Sequence, residues 1–91
     1  MLPLFWSAAA LDDLDEITTY IAEYSVHAAI DMHDLIESAV HPASEHPYLY
    51  RQGRVPGTRE IVAHPNYVIV YAVQVDRIEV VAVLHARQEY P

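Results

Sequence analysis

The feature that most constrains the fold of this chain is a C-terminal half whose strand-length segments are apolar on both faces. Residues 67–74 and 77–85 have the pattern of two strands joined by a turn at Asp76, and apolar side chains fill most of their positions. An antiparallel sheet with one solvated face alternates apolar and polar side chains along each strand. The lack of this alternation predicts that neither face of the sheet is left fully to solvent.

A third strand, at residues 58–63, precedes these two and is followed by the turn His64-Pro65-Asn66. A period of two places Arg59, Ile61 and Ala63 on one face of this strand. In the next strand the same period places one set of side chains on one face, Tyr67, Ile69, Tyr71 and Val73, and the other set on the opposite face, Val68, Val70 and Ala72. In the last strand it places Ile78, Val80, Ala82 and Leu84 on one face and Val81 and Val83 on the other. Because the connections are short, the three strands are expected to form an antiparallel meander.

The N-terminal half has helical periodicity after a short apolar run at residues 2–6. Ser7 and Ser25 are the predicted N-caps of two helices, the second of which ends near Val40. Apolar side chains recur at spacings of three and four, at Leu11, Leu14, Ile17, Ile21 and Tyr24 and then at Ala29, Met32, Ile36 and Ala39 or Val40. The two helices are expected to form a hairpin on one face of the sheet, and the other apolar face predicts contact with a second protein.

The length of 91 residues predicts a single domain over residues 1–91. A domain of this size buries only about 60% of the surface of its unfolded chain, so its stability is marginal. The absence of cysteine excludes disulfides and cysteine-based metal centres. Four histidines, at positions 27, 33, 41 and 46, have no helical i, i+4 spacing, so neither a metal site nor another cofactor is expected. A hydrophobic content of 53% favours stabilisation by a partner.

Charge is divided unevenly along the chain. Residues 1–50 carry nine acidic side chains and no lysine or arginine, whereas residues 51–91 carry all five arginines and four acidic side chains. The net charge of -8 argues against broad, unspecific binding of nucleic acid, which depends on a surplus of basic residues. It leaves room for a local arginine patch.

The expected location is the cytoplasm. No apolar run approaches the ~18 residues that span a bilayer, and no basic leader precedes the apolar residues at the N-terminus.

Five segments of the chain, taken in order, resemble the RelE/ParE superfamily of toxins from bacterial type II toxin–antitoxin systems. They are residues 6–22, the pair Ala28-Ala29, and residues 53–62, 66–71 and 78–87. The resemblance implies an α+β domain with the order βααβββ, in which an antiparallel sheet carries a two-helix hairpin on one face. It also implies a toxin that is neutralised by a cognate antitoxin, in a possible hetero-oligomer of the two.

Two activities occur in this superfamily, and the resemblance leaves both open. RelE-like members cut messenger RNA on the ribosome without a metal, by means of basic side chains on the sheet, whereas ParE-like members poison DNA gyrase. Of the cutters' usual positions, the second strand here offers Arg59 alone, the third-strand arginine is replaced by Val68, and the tail offers Arg87 and Tyr90. Loss of one preorganised cation costs about 10²–10³ in rate. The resemblance therefore favours a gyrase poison without catalytic activity.

The alternative is a metal-independent messenger ribonuclease that uses Arg59, Arg87 and either His85 or Tyr90 as base and acid. Against it stands the simpler interpretation that His85 ends a strand and Tyr90 packs the tail. A third possibility is a decayed toxin that only binds its antitoxin. Candidate contacts with antitoxin or target are Arg51, Arg54, Arg59, Tyr67 and Arg87. The competing interpretation is that these arginines pair within the domain, with Glu60 and Glu89.

Overall fold

The computed structural model describes all 91 residues as one layer of helices packed on one sheet. The helices are α1 (Ala8–Ala22), α2 (Val26–Ala39) and the short α3 (His41–Glu45), and the strands are β1 (Leu4–Trp6), β2 (Arg51–Gln52), β3 (Thr58–His64), β4 (Tyr67–Val73) and β5 (Ile78–His85). None of the helices combines the length and the apolar character that a bilayer span requires.

The predicted serine caps are both confirmed. The Ser7 hydroxyl accepts from the backbone N–H of Ala10 at 3.0 Å, and the Ser25 hydroxyl accepts from that of Ala28 at 3.1 Å. Each bond satisfies one of the N–H groups that a helix start leaves without a partner. These two caps therefore fix where α1 and α2 begin, and α1 and α2 form the expected hairpin against the sheet.

The sheet has the order β1-β5-β4-β3-β2, and its centre is the predicted antiparallel meander of β3, β4 and β5. It is not antiparallel throughout, because β1 pairs with β5 in parallel, with Leu4 opposite Ile78 and Trp6 opposite Val80.

Two short elements were not predicted. Pro42 lies in the first turn of α3, where its missing N–H costs nothing. Arg51 and Gln52 form β2, which pairs with β3.

The predicted assignment of the β5 side chains to the two faces of the sheet is wrong in part, because β5 contains one extra residue. Val70 lies opposite Ala82 and Tyr71 lies opposite Val80, so Val81 has no partner of its own on β4. Beyond such a bulge, the side chains that the period of two would place on one face of the sheet lie on the other face. Ile78, Val80 and Val83 therefore face the helices in the main core, whereas Ala82 and Leu84 lie on the opposite face of the sheet.

The main core lies between the hairpin and the sheet, and its largest buried side chains include Tyr71, Ile36 and Ile69. On the opposite face a smaller cluster of Val70, Ala82 and Leu84 is buried beneath the chain's own Tyr90. The prediction of an apolar second face is thus confirmed, but its centre is covered by the C-terminal tail of the same chain. Val62 remains 57% exposed at its margin.

Tyr71 links the sheet to the segment after α3, and it provides a test at alkaline pH. Its hydroxyl donates to the Pro47 carbonyl at 2.5 Å, and burial raises the pKa of its phenol to about 12. In the unfolded chain this pKa is near 10, so above pH 10 the unfolded state loses a proton that the folded state keeps. The free energy of unfolding should therefore fall as pH rises from about 10 to 12.

Tyr71→Phe should cost about 1 kcal/mol at pH 8, through loss of that hydrogen bond, and should make the alkaline decline shallower. The chain has no lysine, so no ammonium titration overlaps this pH range. Urea unfolding at pH 8, 10 and 11 measures both effects, with Tyr48→Phe as the control for an exposed phenol. An alkaline slope that is identical in the two variants would show that another group controls it.

Candidate functional site

The buried carboxylate of Glu60 organises two of the five arginines. Glu60 in β3 is only 3% exposed and lies opposite Arg51 of β2. One of its oxygens accepts from the Arg51 guanidinium at 3.0 Å. The other accepts from the Arg54 backbone N–H at 3.0 Å and lies 3.4 Å from the Arg54 Nε. Arg51 and Arg54 are thus both engaged by one carboxylate, as the competing interpretation proposed for Glu60 though not for Glu89, and two arginines against one glutamate leave this group with a net charge of +1.

Arg54 also holds the C-terminal tail. Its Nη1 donates to the Gln88 carbonyl at 3.0 Å. Two residues further on, Tyr90 packs on the cluster formed by Val70, Ala82 and Leu84. Glu60, Arg54 and the tail therefore form one connected unit on the face of the sheet opposite the helices.

Arg59 is the neighbour of Glu60 in β3 and faces the other side of the sheet. It lies opposite Tyr71 on β4, which belongs to the main core. Its Nη1 donates to the carbonyls of Tyr48 and Tyr50 at 3.2 and 2.8 Å, and its guanidinium carbon lies 4.9 Å from the centre of the Tyr48 ring. These contacts tie residues 48–50 to the sheet and occupy donors that a ligand would otherwise use.

At the far end of the sheet, His64, Tyr67 and His85 form a row. Tyr67 lies between the two histidines, with ring centres 5.9 Å from His64 and 5.7 Å from His85. Tyr67 and His85 also line an open cleft of about 670 Å³, whose α1 side consists of Asp13, Glu16, Ile17 and Tyr20. The walls of this cleft are aromatic and acidic rather than basic.

Arg87 and His85 are adjacent in space, and Arg87 is the arginine left without a partner. The Arg87 side chain is exposed and makes no hydrogen bond or ion pair within the chain. Its backbone N–H lies 3.2 Å from the Nδ1 of His85. If Nδ1 accepts this bond, the neutral His85 ring carries its proton on Nε2. The Nδ1 of His85 is then occupied by a contact within the chain.

The residues of the ribonuclease hypothesis do not converge. Arg59 lies opposite Tyr71 and His85 lies opposite Tyr67, which is four residues away on β4. At ~3.3 Å per residue, this separates them by about 13 Å along the strand and by two strand spacings across it. Tyr90 lies on the opposite face of the sheet. Only His85 and Arg87 of this set are neighbours.

Asp13 has a structural role that the sequence interpretation missed. It lies outside the apolar stripe predicted for the first helix, and its carboxylate accepts from the backbone N–H of Val83 at 3.0 Å. The strand β1 ends at Trp6, beside Val80, so the edge of β5 beyond that point lacks a strand partner. The Asp13 carboxylate supplies one of the missing bonds, and the Ser7 N–H supplies another by donating to the Val80 carbonyl at 2.9 Å. The helical spacing of apolar residues in the sequence does not indicate this contact.

No three histidine, aspartate or glutamate side chains lie close enough together to hold a metal ion.

Comparison with known proteins points to one family. A family described as the ParE toxin of the type II toxin–antitoxin system parDE matches residues 4–90. The candidate toxin Y4kP of Sinorhizobium fredii is 39% identical over 87 residues, which cover 94% of this chain and 90% of that protein. The toxin RelE2 of Caulobacter vibrioides is 34% identical over 88 residues, which cover 94% of this chain and 97% of that protein.

Solved structures show the same fold at lower identity. A chain of the chromosomal ParDE toxin–antitoxin system of P. aeruginosa matches with a TM-score of 0.82 at 22% identity, over 93% of this chain and 96% of that one. A chain of the YoeB dimer of Staphylococcus aureus matches with a TM-score of 0.63 at 14% identity, over 98% of both chains.

Proposed function

Because the chain belongs to the ParE toxin family of type II toxin–antitoxin systems, we propose that it is a cytoplasmic toxin that poisons DNA gyrase by binding it. A cognate antitoxin neutralises it by occupying its surface. The observation that carries this proposal is that the cations and acid–base groups needed for cutting RNA are dispersed over the fold rather than assembled at one point.

Metal-independent cleavage of RNA requires several groups around a single phosphate. A base must take the proton of the 2'-OH, and cations must stabilise the dianionic transition state. In this chain Arg51 and Arg54 are paired with Glu60, and Arg59 donates to two backbone carbonyls. On the face opposite the helices the strand position that carries an arginine in the cutters is the buried Val68. These contacts leave no cluster of free cations.

A poison that acts through contact needs only an accessible surface of fixed shape. The end of the sheet supplies one, because Tyr67, His85 and the free Arg87 lie together there, beside the acidic cleft. We assign the gyrase contact to this end. Arg87 then acts as a binding residue rather than as a catalytic one.

The test asks whether the chain first causes DNA damage through gyrase or loss of translation. Purified chain added to gyrase should block supercoiling and accumulate cleaved DNA, and induction in cells should switch on the DNA damage response before translation falls. Arg87→Ala should weaken the gyrase effect, while Glu89→Ala, a charge change two residues away in the tail, should not. Unaffected gyrase together with early loss of translation would overturn the proposal.

The second candidate is a ribosome-dependent messenger ribonuclease, favoured by one observation, the proximity of His85 and Arg87. The relative named RelE2 carries the name of that branch. In this case discrete cuts in messenger RNA should appear with intact ribosomes and should disappear in Arg87→Ala. A chain that binds antitoxin but causes neither lesion would be a decayed toxin.

Arg87 should also contribute more to antitoxin affinity than Arg54 or Arg59, because those two are already satisfied within the chain. Arg87→Ala should weaken the complex by about two- to fivefold, the usual range for an exposed ion pair, and the loss should shrink at high salt. Calorimetric titration at two salt concentrations measures this, with Arg77→Ala as the matched control because Arg77 pairs with Asp76. An equal loss in both variants would mean that only net charge matters.

A further inference from the structure

The helical hairpin has a second apolar surface on the side that faces away from the sheet. An open groove of about 320 Å³ runs between the helices and is lined by Thr18, Thr19 and Ala22 of α1 and by Val26, Ala29, Ile30 and His33 of α2. None of these residues belongs to the main core or to the smaller cluster on the opposite face of the sheet. Val26 and Ile30 are 65% and 55% exposed. We call this surface the outer groove.

The outer groove arises because α2 is apolar on two sides. Its core side consists of Met32 and Ile36, followed by Val40 at the helix end. A second set at i, i+3 and i+4 consists of Val26, Ala29 and Ile30 and points into the outer groove. A surface helix needs only one apolar stripe to pack on its own domain. Ala29 of this second stripe is buried, but Val26 and Ile30 are left exposed by the chain's own packing.

With histidine counted as neutral, the charged side chains of the two helices around the outer groove are acidic, and one of them, Asp34, lies 3.4 Å from the Nδ1 of His33. Asp15 and Glu23 of α1 and Asp34 and Glu37 of α2 each lie four residues from a residue that lines it, so they are its neighbours on the helix surfaces. No lysine or arginine occurs in residues 1–50 to offset them. Two copies of the chain docked groove to groove would bring like charges together, which destabilises an interface.

We propose that the outer groove is a docking site for an amphipathic helix of another protein. That helix places an apolar stripe on Val26 and Ile30 and carries lysine or arginine on both flanks, opposite the four carboxylates. This is the helix-in-groove mode of recognition, with specificity provided by the charged rim. The site is independent of the end of the sheet to which the gyrase contact is assigned.

The experiment uses the full chain and pairs of synthetic peptides of about 18 residues, which is long enough to form a helix. One peptide of each pair flanks its leucine stripe with lysine and arginine, and its twin carries glutamate at the same positions. The basic peptides should bind about tenfold more tightly than their twins at low salt, and the difference should narrow at high salt. Amide shifts of the labelled chain should change in α1 and α2.

Variants then locate the site. Ile30→Ser and the alternative Val26→Ser should each weaken binding of the basic peptides several-fold without changing the melting temperature, because both side chains are exposed. Val75→Ser, a similar change at a fully exposed position outside the groove, should have no effect. The pair Asp34→Asn and Glu37→Gln should reduce the preference for basic flanks, while Glu45→Gln in α3 should not.

Three results would overturn the proposal. The first is equal binding of the basic peptides and their acidic twins, or binding of neither. The second is an equal response to Val75→Ser and Ile30→Ser. The third is self-association of the chain that is lost in Ile30→Ser, because it would show that the outer groove takes a second copy.

Discussion

Glu60→Ala is expected to lower the melting temperature of the free chain by roughly 10–20 °C. The change removes a carboxylate that is only 3% exposed, accepts from the Arg51 guanidinium and from the Arg54 backbone N–H, and forms an ion pair with the Arg54 guanidinium. Removing one partner of a buried charged pair costs several kcal/mol, but Arg51 and Arg54 keep access to water, which reduces the loss to about 2–3 kcal/mol. In a domain of this size each kcal/mol corresponds to about 4–8 °C.

The same change should release the C-terminal tail, because Arg54 holds the Gln88 carbonyl only while Glu60 positions it. Amide exchange at residues 86–90 should accelerate more than exchange in β4. Glu89→Ala is the matched control, since Glu89 is exposed and makes no ion pair within the chain. If Glu60→Ala and Glu89→Ala melt at the same temperature, the buried carboxylate does not organise this face.

The elements of this fold with strong local signals were predictable from the sequence. Ser7 and Ser25 cap the helices where the hydroxyls precede the apolar stripes, and the meander follows from three short apolar runs with turns between them. In each case the evidence lies within a few residues of the element. The signal is local because capping and turn formation are local interactions.

The bulge at Val81 and the role of Asp13 were not predictable, because both depend on contacts between distant parts of the chain. Val81, Ala82 and Val83 are equally apolar, so no pattern marks which of them lacks a partner. The Asp13 carboxylate accepts from the N–H of Val83, which lies 70 residues further along the chain, at an edge of β5 that β1 leaves open by ending at Trp6. Parallel pairing of β1 with β5 is non-local for the same reason.

The sequence suggested candidate contact residues but could not give their geometry. The arginines at positions 51, 54, 59 and 87 were all singled out, yet the sequence could not distinguish the three that bond within the chain from the one that is free. Arg51 and Arg54 bond within the chain because Glu60 is buried beside them, and the burial of Glu60 depends on the pairing of β2 with β3. An alternation pattern predicts the face on which Glu60 lies but not what covers it.

The antitoxin is expected to raise the melting temperature of the chain by 15 °C or more. Only 17 of 91 residues are buried, and large apolar side chains such as Leu11, Tyr24 and Leu49 remain exposed, so the free chain has a small core and is expected to self-associate. A ligand that binds only the folded state stabilises it by mass action, by about 4 kcal/mol when its free concentration is a thousand times its Kd.

Thermal unfolding followed by the fluorescence of Trp6, the only tryptophan of the chain, measures the effect while the concentration of an antitoxin without tryptophan is varied. The midpoint should rise with the logarithm of the free antitoxin concentration, because the stabilisation follows RT ln(1 + [L]/Kd). The melting temperature of the Glu60→Ala chain starts lower, and the antitoxin should raise it by a similar amount if the antitoxin contacts lie away from Glu60. The rise should be smaller if those contacts include the tail that Arg54 holds. A midpoint that is independent of antitoxin concentration, in a chain that stays monomeric alone, would show that the fold does not depend on its partner for stability.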